Sequence, residues 1–148
     1  MFRKVLYPTD FSDVAGKAMS YLKQLKDAGT EEVVILHVVD ARYIYRDLHI
    51  PMNYALKEFS ALEDNYAIQA QDAADSLAET LTDMGLKVRV RIEKGIPFKE
   101  ILRVESEEDV SLIVIGSHGR SNVEEMLLGS VSEKVIRKAK KPVLVVKR

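Results

Sequence analysis

The chain has 148 residues, 47% of them apolar, which suits one domain with a single closed core and predicts one unit over 1–148. Its 22 Lys and Arg stand against 23 Asp and Glu, a formal net charge of −1, so no whole-chain basic field exists to gather nucleic acid or an anionic membrane. Cysteine is absent, which removes disulfide scaffolds, thiol catalysis and zinc–thiolate sites and makes cytoplasmic residence the default expectation.

In chain order, Val5-Leu6-Tyr7 reads as a short strand that Pro8 stops, and the polar turn comes too early for the apolar core of a signal peptide. Ser12 is placed to cap a helix whose apolar positions Val14, Ala15, Ala18, Met19, Leu22 and Leu25 recur at three- and four-residue steps, with Gly29 past its end. Val33 to Val39 is a continuous apolar run broken only by His37, as expected of a strand covered on both faces. From Ala41 to Met52 the periodicity lapses, which predicts a loop or flap. From Asn53 a long helix follows, with Leu56, Phe59, Leu62, Tyr66, Ala70, Ala73, Leu77, Leu81 and Met84 at helical spacing and Gly85 as the stop. Leu86 to Ile92 alternates strictly, so that strand has one wet face and lies towards a sheet edge.

Gly95-Ile96-Pro97 opens a helix running to about Glu108, Leu112 to Ile115 makes a fourth strand, a helix starts at Ser130, and Pro142 to Val146 makes a fifth strand. No stretch approaches the roughly 20 apolar residues of a membrane span. Apolar strands alternating with amphipathic helices predict β-α-β units: a five-stranded, doubly wound, three-layer α/β/α domain.

The chemistry concentrates between Gly116 and Ser132. Gly116 sits where the fourth strand must turn, Gly119 gives the loop a second permissive point, and Gly129-Ser130 precedes the last helix. Ser130-Val131-Ser132-Glu133 reads as a capping box with Ser130 as the N-cap, and the open amides of that first turn suit a phosphate. Nine residues, Arg120 to Leu128, separate the second and third glycines, too many for a Walker loop, and the dinucleotide fingerprint is missing. Pro8-Thr9-Asp10 ends the first strand; with the first and fourth strands as central neighbours, both loops meet in the crevice where open α/β sheets bind ligands. Asp10 then either accepts from ribose hydroxyls or serves only as a helix-entry residue.

These segments resemble the universal stress protein family, in particular its ATP-binding branch, over essentially the whole chain. The likeness rests on Val5-Leu6-Tyr7-Pro8-Thr9-Asp10-Phe11-Ser12, on Leu36-His37-Val38-Val39-Asp40, on Gly95-Ile96-Pro97 and on Lys141 to Lys147, and most specifically on Gly116-x-x-Gly119, nine residues, then Gly129-Ser130. The resemblance implies a Rossmann-like fold of the adenine nucleotide alpha hydrolase type with strand order 3-2-1-4-5. It implies adenine near Asp10 and the main chain of Val38 and Ile115, ribose by Asp10 and Gly116, and phosphates at Gly119, Gly129, Ser130 and Val131; the residues themselves offer the Ser130 and Ser132 hydroxyls as further donors. It also implies Mg or Mn held through the phosphates rather than by protein side chains, and a homodimer through strand 142–147, whose apolar edge a second copy can pair.

Other candidates have plainer readings. His118 either faces solvent in the loop or reaches a phosphate, and Arg120 is the one obvious cation within the glycine motif. His37 reads as a core histidine, the basic run Lys134 to Lys141 as a solvated helix end, and Glu105 to Asp109 as an exposed one. Tyr43, Tyr45 and Met52 suit a lid or packing under the long helix. No aspartyl-phosphate pattern and no Gly-x-Ser-x-Gly elbow occur. The expected activity is nucleotide-dependent switching in a stress response with an unknown protein partner; slow ATP hydrolysis, or a structural module that binds nucleotide only for stability, are the alternatives.

Overall fold

A computed structural model of the chain describes residues 1–12, 14–51, 53, 56–118 and 128–147. The elements run β1 (Lys4–Pro8), α1 (Val14–Asp27), β2 (Glu32–Val39), α2 (Ala41–Asp47), α3 (Leu56–Asp83), β3 (Lys87–Lys94), α4 (Pro97–Glu107), β4 (Leu112–Gly116), α5 (Ser130–Lys138) and β5 (Val143–Val146). The five strands form one parallel sheet in the order β3-β2-β1-β4-β5. No helix among the described residues is long and apolar enough to cross a membrane.

Strand alternation sends neighbouring residues to opposite layers. Val5, Tyr7, Val33, Ile35, Leu112 and Val114 pack against Ala18 and Leu22 of α1 and Ala74 and Leu81 of α3. Leu6, Val34, Leu36, Ile113 and Ile115 pack against Ile101 and Val104 of α4 and Val135 of α5. Each fully buried Leu or Ile contributes about 1.5–3 kcal/mol relative to exposure, so these two faces carry most of the fold.

Three expectations are corrected. Residues 41–47 are a helix, not a loop: the Asp40 side chain accepts the Arg42 N–H and caps α2, and Ile44 is buried beneath it. Ile44, Val39 and Phe59 form a third cluster in which Tyr45 stacks on Phe59 at 4.2 Å, so the segment packs on α3. Second, Glu105 is buried, not exposed; its carboxylate accepts the backbone N–H groups of Lys140 and Lys141 at 2.9 and 2.8 Å and fixes the exit from α5. Third, Leu56 lies on the periodic apolar stripe of α3 and is nevertheless 85% exposed. The alternating strand is the β3 edge as expected, and its Arg91 joins Glu93, Glu107 and Glu108 in an ion network with α4.

Candidate functional site

Order reverses between β1 and β4: β1 leads through α1 to one side and β4 through α5 to the other. Above this switch point lies a cavity of about 280 Å³, reached by the carboxyl ends of β1, β2 and β4, by α2 and by the first turns of α4 and α5.

The β1 exit is built by local hydrogen bonds. Thr9 Oγ1 accepts the Phe11 N–H and Asp10 Oδ1 accepts the Ser12 N–H, both at 3.0 Å, so two short side chains fold the turn and leave Phe11 in the left-handed region at φ 61°. Ser12 stands before α1, whose helical residues begin at Val14; Asp13, between them, lies outside the described residues. Tyr7 is buried beneath this turn. Burial pushes its phenol pKa up, the Thr9 side chain pulls it down and the Asp10 charge raises it, so the ring stays neutral.

At the β4 exit the backbone closes tightly. Ser117 N–H donates to Val146 O, and Gly129 N–H reaches back to Ser117 O at 2.6 Å. A β-carbon on Gly129 would lie 3.3 Å from that oxygen, so the approach depends on glycine. Gly129, not Ser130, is the N-cap of α5, with φ −73° and ψ 162°, and Ser130 is the exposed first helical residue. The expected capping box does not form: the Glu133 carboxylate pairs with Arg137. Buried Ser132 explains the shift, since its hydroxyl turns inward to Ser117 O and Gly129 O at 2.9 and 3.0 Å. That hydroxyl serves the turn, and only the Ser132 backbone N–H is left for a ligand. The first intrahelical bond is Glu133 N–H to Gly129 O, so the amides of Ser130, Val131 and Ser132 open the helix unpaired by helical geometry, at its positive end.

Pro8, Thr9, Asp10, Val38, Ile115, Gly116, His118, Gly129, Ser130, Val131 and Ser132 all line this one cavity. Gly119 and Arg120 lie outside the described residues. His118 lines the wall with its Nδ1 2.8 Å from the buried Ser117 hydroxyl.

The sequence reading missed a flank. Arg42 and Arg46 of α2 face the cavity beside Tyr43, the lid candidate, with Arg42 engaged by Asp40 at 2.9–3.0 Å and Arg46 over the Tyr43 ring at 5.8 Å. The acidic cap Asp40 directly after an apolar strand was the signal available for it. His37 also lines the cavity, beyond its expected core role. Among the described residues no group of three or more His, Cys, Asp or Glu is arranged to hold a metal ion.

The model of the universal stress protein family matches residues 1–147. The chain belongs to the universal stress protein family. Universal stress protein MJ0577 of Methanocaldococcus jannaschii is 42% identical over 156 residues, covering 100% of this chain and 96% of its own. A solved structure of MJ0577 superposes with a TM-score of 0.87 over 100% of this chain and 97% of that one. Universal stress protein YxiE of Bacillus subtilis is 32% identical across 99% of this chain and 100% of its own length. More distant members share the fold: a universal stress protein in complex with cAMP, at 21% identity and TM-score 0.60, and one from Arabidopsis thaliana with AMP bound, at 15% and 0.67. They cover 99% and 98% of this chain, and 97% and 91% of their own.

Proposed function

We propose that this universal stress protein binds ATP in the β1–β4 crevice and acts as a nucleotide-dependent switch in the cytoplasm. The observation that carries the reading is convergence: the Asp10 carboxylate, the Gly116 turn and the open first turn of α5 meet around one cavity. The Asp10 carboxylate, held in the turn by its 3.0 Å bond from Ser12 N–H, supplies the acceptor-only oxygens that ribose hydroxyls require. Adenine sits against Val38 and Ile115, ribose against Asp10 and Gly116, and phosphates beside Gly129 on the Ser130–Ser132 amides, where the helix dipole and the open N–H groups favour anions. His118 completes the phosphate side among the described residues. A magnesium or manganese ion would be held through the phosphates rather than by protein side chains and would offset part of their charge. The two distant relatives that hold cAMP and AMP lend support to an adenine nucleotide.

The test is calorimetry with Mg-ATP, Mg-ADP and AMP, alongside mass and absorbance identification of nucleotide co-purified with the protein. Saturable ATP binding, weakened tenfold or more in Asp10→Ala, is expected; absence of binding overturns the reading. Slow hydrolysis is a second reading, favoured by the Ser117–His118 hydrogen bond at the phosphate side of the cavity. Product chromatography after long incubation decides it: repeated turnover lost in His118→Ala establishes an ATPase, and unchanged ATP leaves the switch.

A further inference from the structure

We infer that His37 is a positioning residue of the nucleotide site, setting through the Thr9 carbonyl where the Asp10 carboxylate stands; this rests on the nucleotide reading above. His37 is 8% exposed, near the carboxyl end of β2 and on the α1–α3 side of the sheet, where Phe11 also packs. Its Nδ1 lies 2.8 Å from Thr9 O. A carbonyl only accepts, so Nδ1 carries the proton and donates, and in the neutral ring Nε2 is the acceptor.

The bond lands on a particular peptide. The β1–β2 ladder ends at the pair Pro8 and Leu36, and the next residue, Thr9, still donates its N–H to Leu36 O at 2.9 Å. With Thr9 O held by His37, both backbone polar atoms of Thr9 are gripped by consecutive residues of β2. The Thr9 carbonyl belongs to the planar peptide that enters Asp10, so fixing it fixes the Asp10 nitrogen and Cα as well.

A second contact closes the turn from the other side. The Phe11 ring stacks on the imidazole, centroids 5.0 Å apart and planes inclined 28°. Phe11 is held at φ 61°, a conformation unfavourable for a residue with a β-carbon, and such a residue persists only where its surroundings over-determine it. One imidazole thus brackets Asp10, gripping the residue before it and stacking on the residue after it. A rigid, pre-shaped carboxylate binds ribose without first ordering a loop.

Three variants and a cycle test this by calorimetry with Mg-ATP, each after a melting curve. His37→Leu keeps bulk but leaves Thr9 O unpaired, and is expected to weaken ATP about tenfold. His37→Asn places an amide near the Nδ1 position and should bind within about threefold of wild type. His37→Gln places its amide further out and should fall below Asn. Because His37 acts through Asp10, adding His37→Leu to Asp10→Ala should weaken ATP no further than Asp10→Ala alone. Wild-type affinity in His37→Leu, fully additive losses in the double variant, or equal affinity of the Asn and Gln variants each overturn the inference. The Asn–Gln comparison decides the matter alone if His37→Leu does not fold. No ATP binding by wild type sinks the nucleotide reading and this inference together, whereas wild-type binding with indifferent His37 variants sinks only the inference.

Discussion

At the scale of single residues, the site turns on how closely two backbones approach between Ser117 and Gly129. The N–H of Gly129 reaches Ser117 O at 2.6 Å, and a side chain there would press on the same oxygen and on the His118 Cα, 3.5 Å away. Gly129→Val forces these apart, at a cost typical of overpacking, ~1–3 kcal/mol. Its effect on ligand exceeds its effect on folding, because Gly129 is the N-cap of α5 and shifting it away from Ser117 carries the helix's opening amides with it. ATP binding by calorimetry should fall tenfold or more while the protein still melts cooperatively; equal affinity would detach Gly129 from the site. The glycine was legible in the sequence because its spacing and strand–helix context are local. The cap was not. Ser130 is a better N-cap residue than Gly129 by propensity, but a tertiary bond from Ser132 to the end of β4 sets where the helix begins. His37 shows the same limit: its apolar neighbours marked it as buried, but which loop its ring holds depends on β1 lying beside β2.

At the scale of elements, strands were legible as short apolar runs rich in branched residues between turn signals, and long helices because periodicity over eight or more residues outweighs local noise. The seven-residue α2 is too short for that signal, and only the packing of Ile44 and Tyr45 on α3 makes it a helix. Ile44→Ala should therefore lower unfolding free energy by ~2–5 kcal/mol in a urea titration. Full stability in that variant would mean α2 adds nothing to the fold. The α4–β3 ion network makes a pH prediction. Lys4, 2.9 Å away and hydrogen-bonded to Glu108, holds that carboxyl below the usual carboxylate range, with burial opposing and Arg89 and Arg91 assisting. A depressed folded pKa contributes stability present above the unfolded pKa, about 4.5, and lost as pH falls through the folded one. Melting temperature should drop as pH falls from about 5 towards about 3, and by less in Glu108→Gln; an identical drop in both would remove Glu108 from the network.

At the scale of the molecule, the doubly wound architecture was legible because its units are sequential, each strand and helix adding a β-α-β step. The crevice was foreseeable from the same topology, since ligand loops gather where strand order reverses. What joins copies of the chain is a proposal. β5 is a four-residue apolar strand that pairs only with β4 among the described residues, leaving its outer N–H and C=O groups for another copy. Light scattering should give about 33 kDa, twice the 16.7 kDa chain, and a Val145→Lys variant should shift towards the single-chain mass. A wild-type particle at the single-chain mass would refute edge pairing. The opposite edge behaves differently. β3 reads Lys-Val-Arg-Val-Arg-Ile-Glu-Lys, and five of its eight residues are charged. Two copies joined symmetrically through β5 place both β3 strands outermost, where charge discourages further strand addition. Assembly is then self-limiting: it closes at a pair, and the exposed sheet does not seed a fibre.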